Sequence, residues 1–307
     1  MNRLKPWILP IAMVCGVLLH NEIDSVQFIA PYLIFTMLFI TFCRIRPSEF
    51  KISRLTWQVV LVQVIGALAG YIVLAPVSRD LAQGCLICIL CPTATAAPVI
   101  TAMLGGSITT LVSISILSNI AMALLGPIIL AAVAEPGVHL TFTAAFSAII
   151  TKVAPMIIGP MAAAFALLYI SPRAHKAIAG HQGLSFYIWA VSLILVVGRA
   201  VSFAMAEPPS MIPEMIALAI VAGVACALQF YIGRRLGHRN ADPVAGAQGL
   251  GQKNTVLAVW LATSYLNPVS SIAPAAYIAW QNTVNSLQLY YKGRRDRKSN
   301  IITKDNV

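Results

Sequence analysis

The segment CPTATAAP at residues 91–98 and the segment GLGQKN at residues 249–254 interrupt two long apolar stretches of the sequence. They occupy matching places in the two halves of the chain, and their flanks are too short to cross a bilayer alone. Paired broken membrane segments are the best sequence indication of a transporter's binding site. Lys253, inside the second break, also indicates a functional role, because an ionisable side chain is costly at membrane depth.

Composition places the whole chain in the membrane class. Only 10% of the residues are charged and 59% are hydrophobic, whereas a soluble domain carries about a quarter charged residues. Apolar stretches of spanning length recur along the chain, which predicts an all-α polytopic membrane protein with ten transmembrane helices. The ten predicted spans are 7–20, 27–43, 57–75, 82–104 (broken), 108–134, 143–170, 184–204, 212–232, 242–265 (broken) and 270–291.

The distribution of positive charge predicts the topology. Most of the 21 lysines and arginines fall on the side of the N-terminus, and only Arg79 falls on the opposite side. This asymmetry follows the positive-inside rule and predicts a multi-pass protein with both termini in the cytoplasm. The net charge of +11 therefore indicates loops facing the cytoplasm, and no nucleic-acid partner is expected. With no organelle-targeting segment, the inner membrane of a bacterial-type cell is the expected location.

Ten spans divide into two sets of five, so any repeat must be inverted. The expected units are a first five-helix repeat at 1–134, a second at 135–291 and a basic cytoplasmic tail at 292–307. The fourth span of each set is the broken one, which predicts that the two breaks cross near the middle of the bilayer. Half-helix N-termini would then offer N–H groups to a carboxylate, and freed carbonyls could coordinate Na⁺.

The breaks contain residues suited to ending one helix and starting another. Pro92 cannot continue a helical ladder, and Thr93 and Thr95 can cap the helix that follows. Pro98 then falls in the first turn, where a missing N–H costs little.

The second break is expected to turn sharply at Gly249 and Gly251, with Asn254 as a cap or a substrate contact. A polar stripe after the first break, at Ser113, Ser115, Ser118 and Asn119, is expected to hydrogen-bond to the crossover.

These segments resemble the bile acid:sodium symporter family. Its fourth helix carries a Cys-Pro-x-x-Thr-Ala crossover, matched by Cys91 to Ala96, and its ninth carries an acidic-x-Gly-x-Gln-Asn segment, aligning with 249–254. Trp280-Gln281-Asn282 is similar to a Trp-His-Asn sequence in its tenth helix. The resemblance implies a core domain and a panel domain, alternating access, and organic anions as substrates, including bile acids and smaller carboxylates. It also implies substrate contacts at Thr95 and Asn254.

The chain departs from this family at both sodium sites. The side-chain ligands of the first sodium correspond here to Ala97, Pro98, Leu111, Ser115 and Gly249. Four of these five positions have lost their side-chain oxygen.

At the second sodium site Gln63 matches a family ligand. The family's acid is replaced by Gly249 and its glutamine by Lys253.

We hypothesise that Lys253 replaces the second sodium as a tethered cation, with Gln63 as its partner. A sodium ion about 4 Å from an ammonium would be disfavoured by about 4 kcal/mol at an effective dielectric near 20. Transport is then expected to be independent of sodium, or driven by protons if Lys253 loses its charge during the cycle, because burial disfavours that charge. A third role for Lys253 is direct pairing with the substrate's carboxylate.

The sequence thus predicts a monomeric secondary transporter of a small organic anion, with no cofactor and no metal site. Its substrate-binding residues are Thr93, Thr95, Lys253 and Asn254, and Cys91, Pro92 and Gly251 shape the crossover.

Two alternatives stay open. One is a sodium-coupled organic anion symporter with rearranged ligands. The other is an arsenite-type exporter of related fold, suggested by the thiols at Cys85, Cys88 and Cys91. An enzyme is not expected, since the sequence has neither HExxH nor a nucleophile elbow, and no acid at membrane depth.

Overall fold

A computed structural model of the chain describes residues 5–43, 52–94, 96–134, 142–206 and 208–305, and throughout these ranges the regular structure is helical. Three short 3₁₀ turns, at Ile23–Ile29, Pro209–Met211 and Pro268–Ser271, precede α2, α10 and α13. The helices are α1 (Lys5–Leu18), α2 (Ala30–Phe42), α3 (Arg54–Leu74), α4 (Arg79–Leu90), α5 (Ala97–Leu104), α6 (Ile108–Val133), α7 (Phe142–Ile170), α8 (Pro172–Ala179), α9 (Gln182–Met205), α10 (Ile212–Arg239), α11 (Pro243–Gly251), α12 (Thr255–Tyr265) and α13 (Ile272–Asp305).

Four of the described helices are long and apolar enough to cross a bilayer. The qualifying segments are Arg54–Leu74 in α3, Ile108–Gly126 in α6, Gly183–Ser202 in α9, and Pro209–Arg239, which covers α10. Shorter apolar helices occur at Trp7–Leu18, Ala30–Phe42 and Ile158–Ile170. Large apolar side chains such as Ile72, Ile220 and Leu228 are exposed along the long helices, as expected of surfaces that face lipid. The protein is therefore a helical membrane protein.

The two sequence breaks are breaks in the structure. The α4 helix ends at Leu90, the chain is extended at Cys91, and α5 begins at Ala97. Cys91 is extended because a following proline disfavours helical geometry at the residue before it. The second break lies between Gly251, where α11 ends, and Thr255, where α12 begins.

Close helix pairs at glycines hold the broken helices in place. A Cβ added at Gly246 of α11 would lie 2.3 Å from the carbonyl oxygen of Gly233 in α10, so the two backbones are in direct contact. In the first half α4 packs on α3, where a Cβ at Gly70 would lie 2.8 Å from the sulfur of Cys85. Elsewhere α1 packs on α9, and α2 packs on α7 and α9.

Several boundaries differ from the sequence-based spans. The tail expected at 292–307 continues as helix to Asp305, because nothing in its sequence interrupts α13. The second predicted span opens with the 3₁₀ turn at Ile23–Ile29 before α2. The short helix α8 joins α7 to α9 and was not predicted. The expected joint between the two halves, at 134–137, lies outside the described residues after Ala134.

Candidate functional site

The two breaks cross and pair with each other as a two-residue antiparallel bridge. Thr93 and Lys253 are the bridged residues. The amide of Ala94 donates to the Gln252 carbonyl at 2.8 Å, and the amide of Asn254 donates to the Pro92 carbonyl at 2.9 Å. Each break therefore provides the backbone partners that the other loses by leaving its helix.

The bridged side chains each reach the end of the opposite half-helix. The Thr93 hydroxyl donates to the Gly249 carbonyl at 2.7 Å, and the Lys253 ammonium donates to the Ile89 carbonyl at 2.8 Å. Gly249 lies four residues before Lys253, and Ile89 lies four residues before Thr93. In each break, therefore, the bridged side chain binds the carbonyl that lies four residues before its bridge partner.

Every carbonyl in the last turn of α4 accepts a hydrogen bond. A helix normally leaves its last four carbonyls without intrahelical partners. Here the carbonyls of Ile87, Cys88, Ile89 and Leu90 accept from Cys91 N, Gln229 Nε2, Lys253 Nζ and Gln63 Nε2 at 3.1, 3.5, 2.8 and 2.6 Å, in that order. The lysine is thus one member of a cap built from three parts of the chain.

Lys253 is buried, with only 1% of its surface exposed. Within the described ranges its ammonium forms no ion pair with a carboxylate; the ion pair found there joins Lys292 to Asp296. The charge instead faces the C-terminal end of α4, which carries the negative end of the helix dipole. A cation is favoured at that position, and this is the type of place where freed carbonyls would hold Na⁺.

The end of α11 is capped in a similar way. The hydroxyl of Tyr277 in α13 donates to the Gly251 carbonyl at 2.7 Å and accepts from Gln229 Nε2 at 3.0 Å. Gln281 of α13 accepts from the amide of Lys253 at 2.8 Å. The side chains of α10 and α13 therefore join the two half-helix ends into one network.

A cavity of about 70 Å³ lies beside the crossover. It is bounded by both breaks and by α2, α9 and α13, through residues that include Ala94, Lys253, Asn254, Trp189 and Asn282. Pockets for small-molecule ligands commonly have about 300–1,000 Å³. The cavity is therefore too small for an organic substrate in this conformation.

The four residues predicted to bind substrate have different positions. Lys253 and Asn254 line the cavity. Thr93 is fully buried, its hydroxyl donates to Gly249 within the crossover, and it does not line this cavity. Thr95 lies outside the described residues.

The helix starts after the breaks are capped differently from each other. Asn254 is the N-cap of α12, and its Oδ1 accepts from the amide of Leu257 at 3.2 Å, as predicted. Ala96 is the N-cap of α5 and makes no side-chain bond, so Thr93 does not cap that helix. Pro98 lies in the first turn of α5 as expected, and both Ala97 and Pro98 are buried.

Gln63 is not bonded to Lys253, contrary to the prediction. Its amide nitrogen donates to the Leu90 carbonyl, and its Oε1 accepts from the Ser118 hydroxyl at 2.6 Å. The two side chains cap successive carbonyls of α4 instead of each other. Ser118 Oγ also accepts from the amide of Thr93 at 3.3 Å, which confirms for Ser118 that the polar stripe of α6 bonds to the crossover. Ser115 is buried one turn earlier on α6.

Close packing of neighbouring side chains, and not a turn, accounts for glycine at positions 249 and 251. Gly249 lies inside α11 and Gly251 is its last residue, and among the described glycines a left-handed φ is found at Gly105. A Cβ at Gly249 would lie 2.9 Å from Ile114 Cγ2, and one at Gly251 would lie 2.4 Å from the Phe230 ring. A side chain at position 249 would therefore require Ile114 to shift or to be replaced by a smaller residue.

Sequence reasoning missed Tyr277 and Gln229 altogether. Each is an isolated polar residue on a mostly apolar helix, and no motif or spacing marks it. Cys85, Cys88 and Cys91 are buried in or just after α4. Among the described residues no group of three or more His, Cys, Asp or Glu side chains is arranged to hold a metal ion.

No protein-family model matches the chain, and no curated protein matches its sequence.

Proposed function

We propose that this protein is a secondary transporter of a small organic anion that works by alternating access, with Lys253 in the place of a coupling sodium ion. The observation that carries the proposal is the pairing of two broken helices around a buried ammonium, beside a cavity. Broken helices that meet inside a membrane protein form the binding sites of many transporters. An ionisable residue at such a point is a functional residue by default.

Inverted repetition is supported by the symmetry of the crossover. Thr93 and Lys253 pair with each other, and each binds the carbonyl four residues before the other. Thr93 and Lys253 are 160 residues apart, and the same separation relates the N-cap Ser107 of α6 to the N-cap Asn267 of the turn before α13. We therefore retain ten spans in two inverted sets of five, with crossing helices α4/α5 and α11/α12 at the centre.

Replacement of sodium is supported by the position of the ammonium. It lies on a freed carbonyl at the negative end of α4, and Gln63 binds the next carbonyl. A sodium ion at about 4 Å from it would face a repulsion of about 4 kcal/mol at an effective dielectric near 20. Uptake is therefore independent of sodium, and a proton released from Lys253 is the remaining candidate for coupling.

The anionic substrate is supported by the groups at the cavity. Lys253 and the N-terminus of α12 both border it, and each favours negative charge. The small cavity represents a closed conformation, and access requires movement of α2 and α9 away from the crossover.

The first experiment measures thermal unfolding of the purified protein as NaCl replaces choline chloride at constant ionic strength. A ligand at a hundredfold excess over its dissociation constant stabilises a folded protein by about 2.7 kcal/mol. We expect no sodium-specific shift. A sodium-specific rise in the unfolding temperature would overturn the tethered cation and favour the sodium-coupled symporter.

A triple variant tests the same point by restoring the family's ligands. Ile114→Ala, Gly249→Glu and Lys253→Gln together remove the obstructing side chain, supply the acid and remove the ammonium. This variant is expected to gain a sodium-specific rise in unfolding temperature. The matched control carries Gln instead of Glu at position 249 and is expected to show none.

Uptake by proteoliposomes tests transport itself. Radiolabelled mono- and dicarboxylates and a conjugated bile acid are offered with sodium or with choline, and protein-free liposomes give the background. We expect protein-dependent uptake of at least one organic anion, at equal rates in both salts. Absence of uptake for every anion, with arsenite transported instead, would favour the arsenite-type alternative.

A further inference from the structure

A second pocket lies at the C-terminal end of α10, away from the crossover. Its volume is about 400 Å³, and it is lined by Tyr231, Arg234, Arg235, His238 and Arg239. Three arginines and a histidine therefore line one side of the pocket, along a single face of α10. All five side chains are exposed.

The arginines of this pocket have no acidic partner in the described part of the chain. The ion pair found there belongs to α13, between Lys292 and Asp296. Arg235 is held against Tyr231: its Nε donates to the phenol oxygen at 3.1 Å, and its guanidinium carbon lies 5.2 Å from the ring centre. The pocket thus has one oriented guanidinium and two more that are free to turn toward an anion.

The end of the helix opposes anion binding only weakly. A helix C-terminus carries about half a negative charge, whereas the three arginines carry three positive charges. The net field at the pocket is positive. Guanidinium groups bind phosphate through paired N–H donors, which gives geometry as well as attraction.

An apolar stripe on α10 runs directly into this pocket. Its members recur every three or four residues, are each more than half exposed, and end at the tyrosine of the pocket: Ile216, Ile220, Val224, Leu228 and Tyr231. The segment from Ile216 to Leu228 is about 18 Å long, and one leaflet of the hydrocarbon core is about 15 Å deep. The stripe is therefore long enough to hold a lipid chain in one leaflet.

We propose that this surface is a binding site for an anionic phospholipid. The phosphate of the headgroup lies among Arg234, Arg235 and Arg239, and an acyl chain follows the apolar stripe of α10. Clusters of lysine and arginine just cytoplasmic of a membrane helix attract the headgroups of anionic lipids. Because α10 packs on α11, the bound lipid contacts a helix that supports the crossover.

Lipid titration of the delipidated protein, followed by native mass spectrometry, tests the site. Cardiolipin and phosphatidylglycerol are compared with phosphatidylcholine, and glycerol 3-phosphate is added as a soluble phosphate. We expect the anionic lipids to bind more tightly than phosphatidylcholine, with no competition from glycerol 3-phosphate. Equal affinity for the neutral lipid would overturn the proposal. Effective competition by glycerol 3-phosphate would assign the pocket to soluble phosphates instead.

Paired variants distinguish lipid binding at this pocket from attraction by positive charge elsewhere on the protein. Arg235→Gln with Arg239→Gln is expected to weaken cardiolipin binding roughly tenfold or more. The control, Arg294→Gln with Arg295→Gln, removes the same charge from α13 and includes an arginine near Tyr290; it should leave the affinity within about twofold. A second variant, Arg235→Lys with Arg239→Lys, keeps the charge and should retain most of the binding. Equal losses in the two Gln pairs would contradict the proposed site.

Discussion

At the scale of single residues, Lys253 supplies hydrogen bonds that hold the crossover together, in addition to its positive charge. Its ammonium satisfies the Ile89 carbonyl, its amide binds Gln281, and its backbone pairs with Thr93. Burial of a charge costs free energy unless the charge is hydrogen-bonded or compensated. Here the Ile89 carbonyl accepts one hydrogen bond from the ammonium, and the negative end of the α4 dipole favours its charge.

Replacing Lys253 by methionine keeps most of the side chain and removes only the ammonium. The Ile89 carbonyl then loses its partner inside the protein, which costs about 1–3 kcal/mol. We expect a clear fall in the thermal unfolding temperature of the purified protein. Lys176→Met, at an exposed lysine of α8, serves as the control and should leave it nearly unchanged. Equal falls would show that the Ile89 bond contributes nothing.

Thr93 offers a second test of the crossover. Thr93→Val has nearly the same shape but cannot donate to the Gly249 carbonyl, and we expect a loss of about 1 kcal/mol. Thr93→Ser keeps the hydroxyl and should lose less. Chemical or thermal unfolding of both variants checks the order, and a valine variant as stable as the serine variant would contradict it.

The sequence predicted where the crossover lies better than it predicted what each polar side chain does there. Pro92, Pro98 and Asn254 act as expected, because backbone geometry limits a proline and an N-cap to a few positions. Gln63 could not be assigned from sequence, since an amide binds any neighbouring carbonyl or hydroxyl. The partner of Lys253 is the main-chain carbonyl of Ile89, and a backbone atom leaves no signal in residue identity.

At the scale of helices, the pair α10–α11 depends on glycines at its contact. A Cβ at Gly246 would lie 2.3 Å from the Gly233 carbonyl oxygen, and no rotation of a side chain can relieve a contact with backbone. Gly246→Ala should therefore lower stability by about 1–3 kcal/mol or more, as overpacking does. Gly183→Ala, where a Cβ meets nothing within 4 Å, should leave stability unchanged in the same unfolding measurement. A stable Gly246→Ala protein would mean that the two helices are not in contact.

The sequence predicted helices correctly where a long apolar run or a proline determines where a helix lies or ends. The long apolar runs of α3, α6, α9 and α10 were located from composition, and the proline break between α4 and α5 was located from Pro92. Helix α8 was missed because its eight residues are polar on one side and too short for a periodic pattern. The extension of α13 was missed because a charged sequence can be helical as easily as it can be irregular.

At the scale of the molecule, the charge asymmetry predicts which surfaces face each side. Val77 lies in the turn between α3 and α4 and Arg295 on the C-terminal helix, and both are exposed. In intact cells, a membrane-impermeant maleimide should label Val77→Cys and should label Arg295→Cys only after permeabilisation. The parent protein gives the background, since five of its six cysteines are buried. Labelling of both positions from outside would contradict the proposed topology.

The mutual bonding of the two breaks has a consequence for biosynthesis. Lys253 and the amide of Asn254 reach the ribosome's exit about 160 residues after Pro92, which at 5–20 residues per second takes on the order of 10–30 s. Throughout that interval the carbonyls of Ile89 and Pro92 lack their final partners, although the first half has already been translated. The nascent first half therefore has to keep its break close to water, to the translocon or to a chaperone. A protein truncated after residue 134 should accordingly be degraded rapidly in cells, even though its own helices are apolar enough to insert.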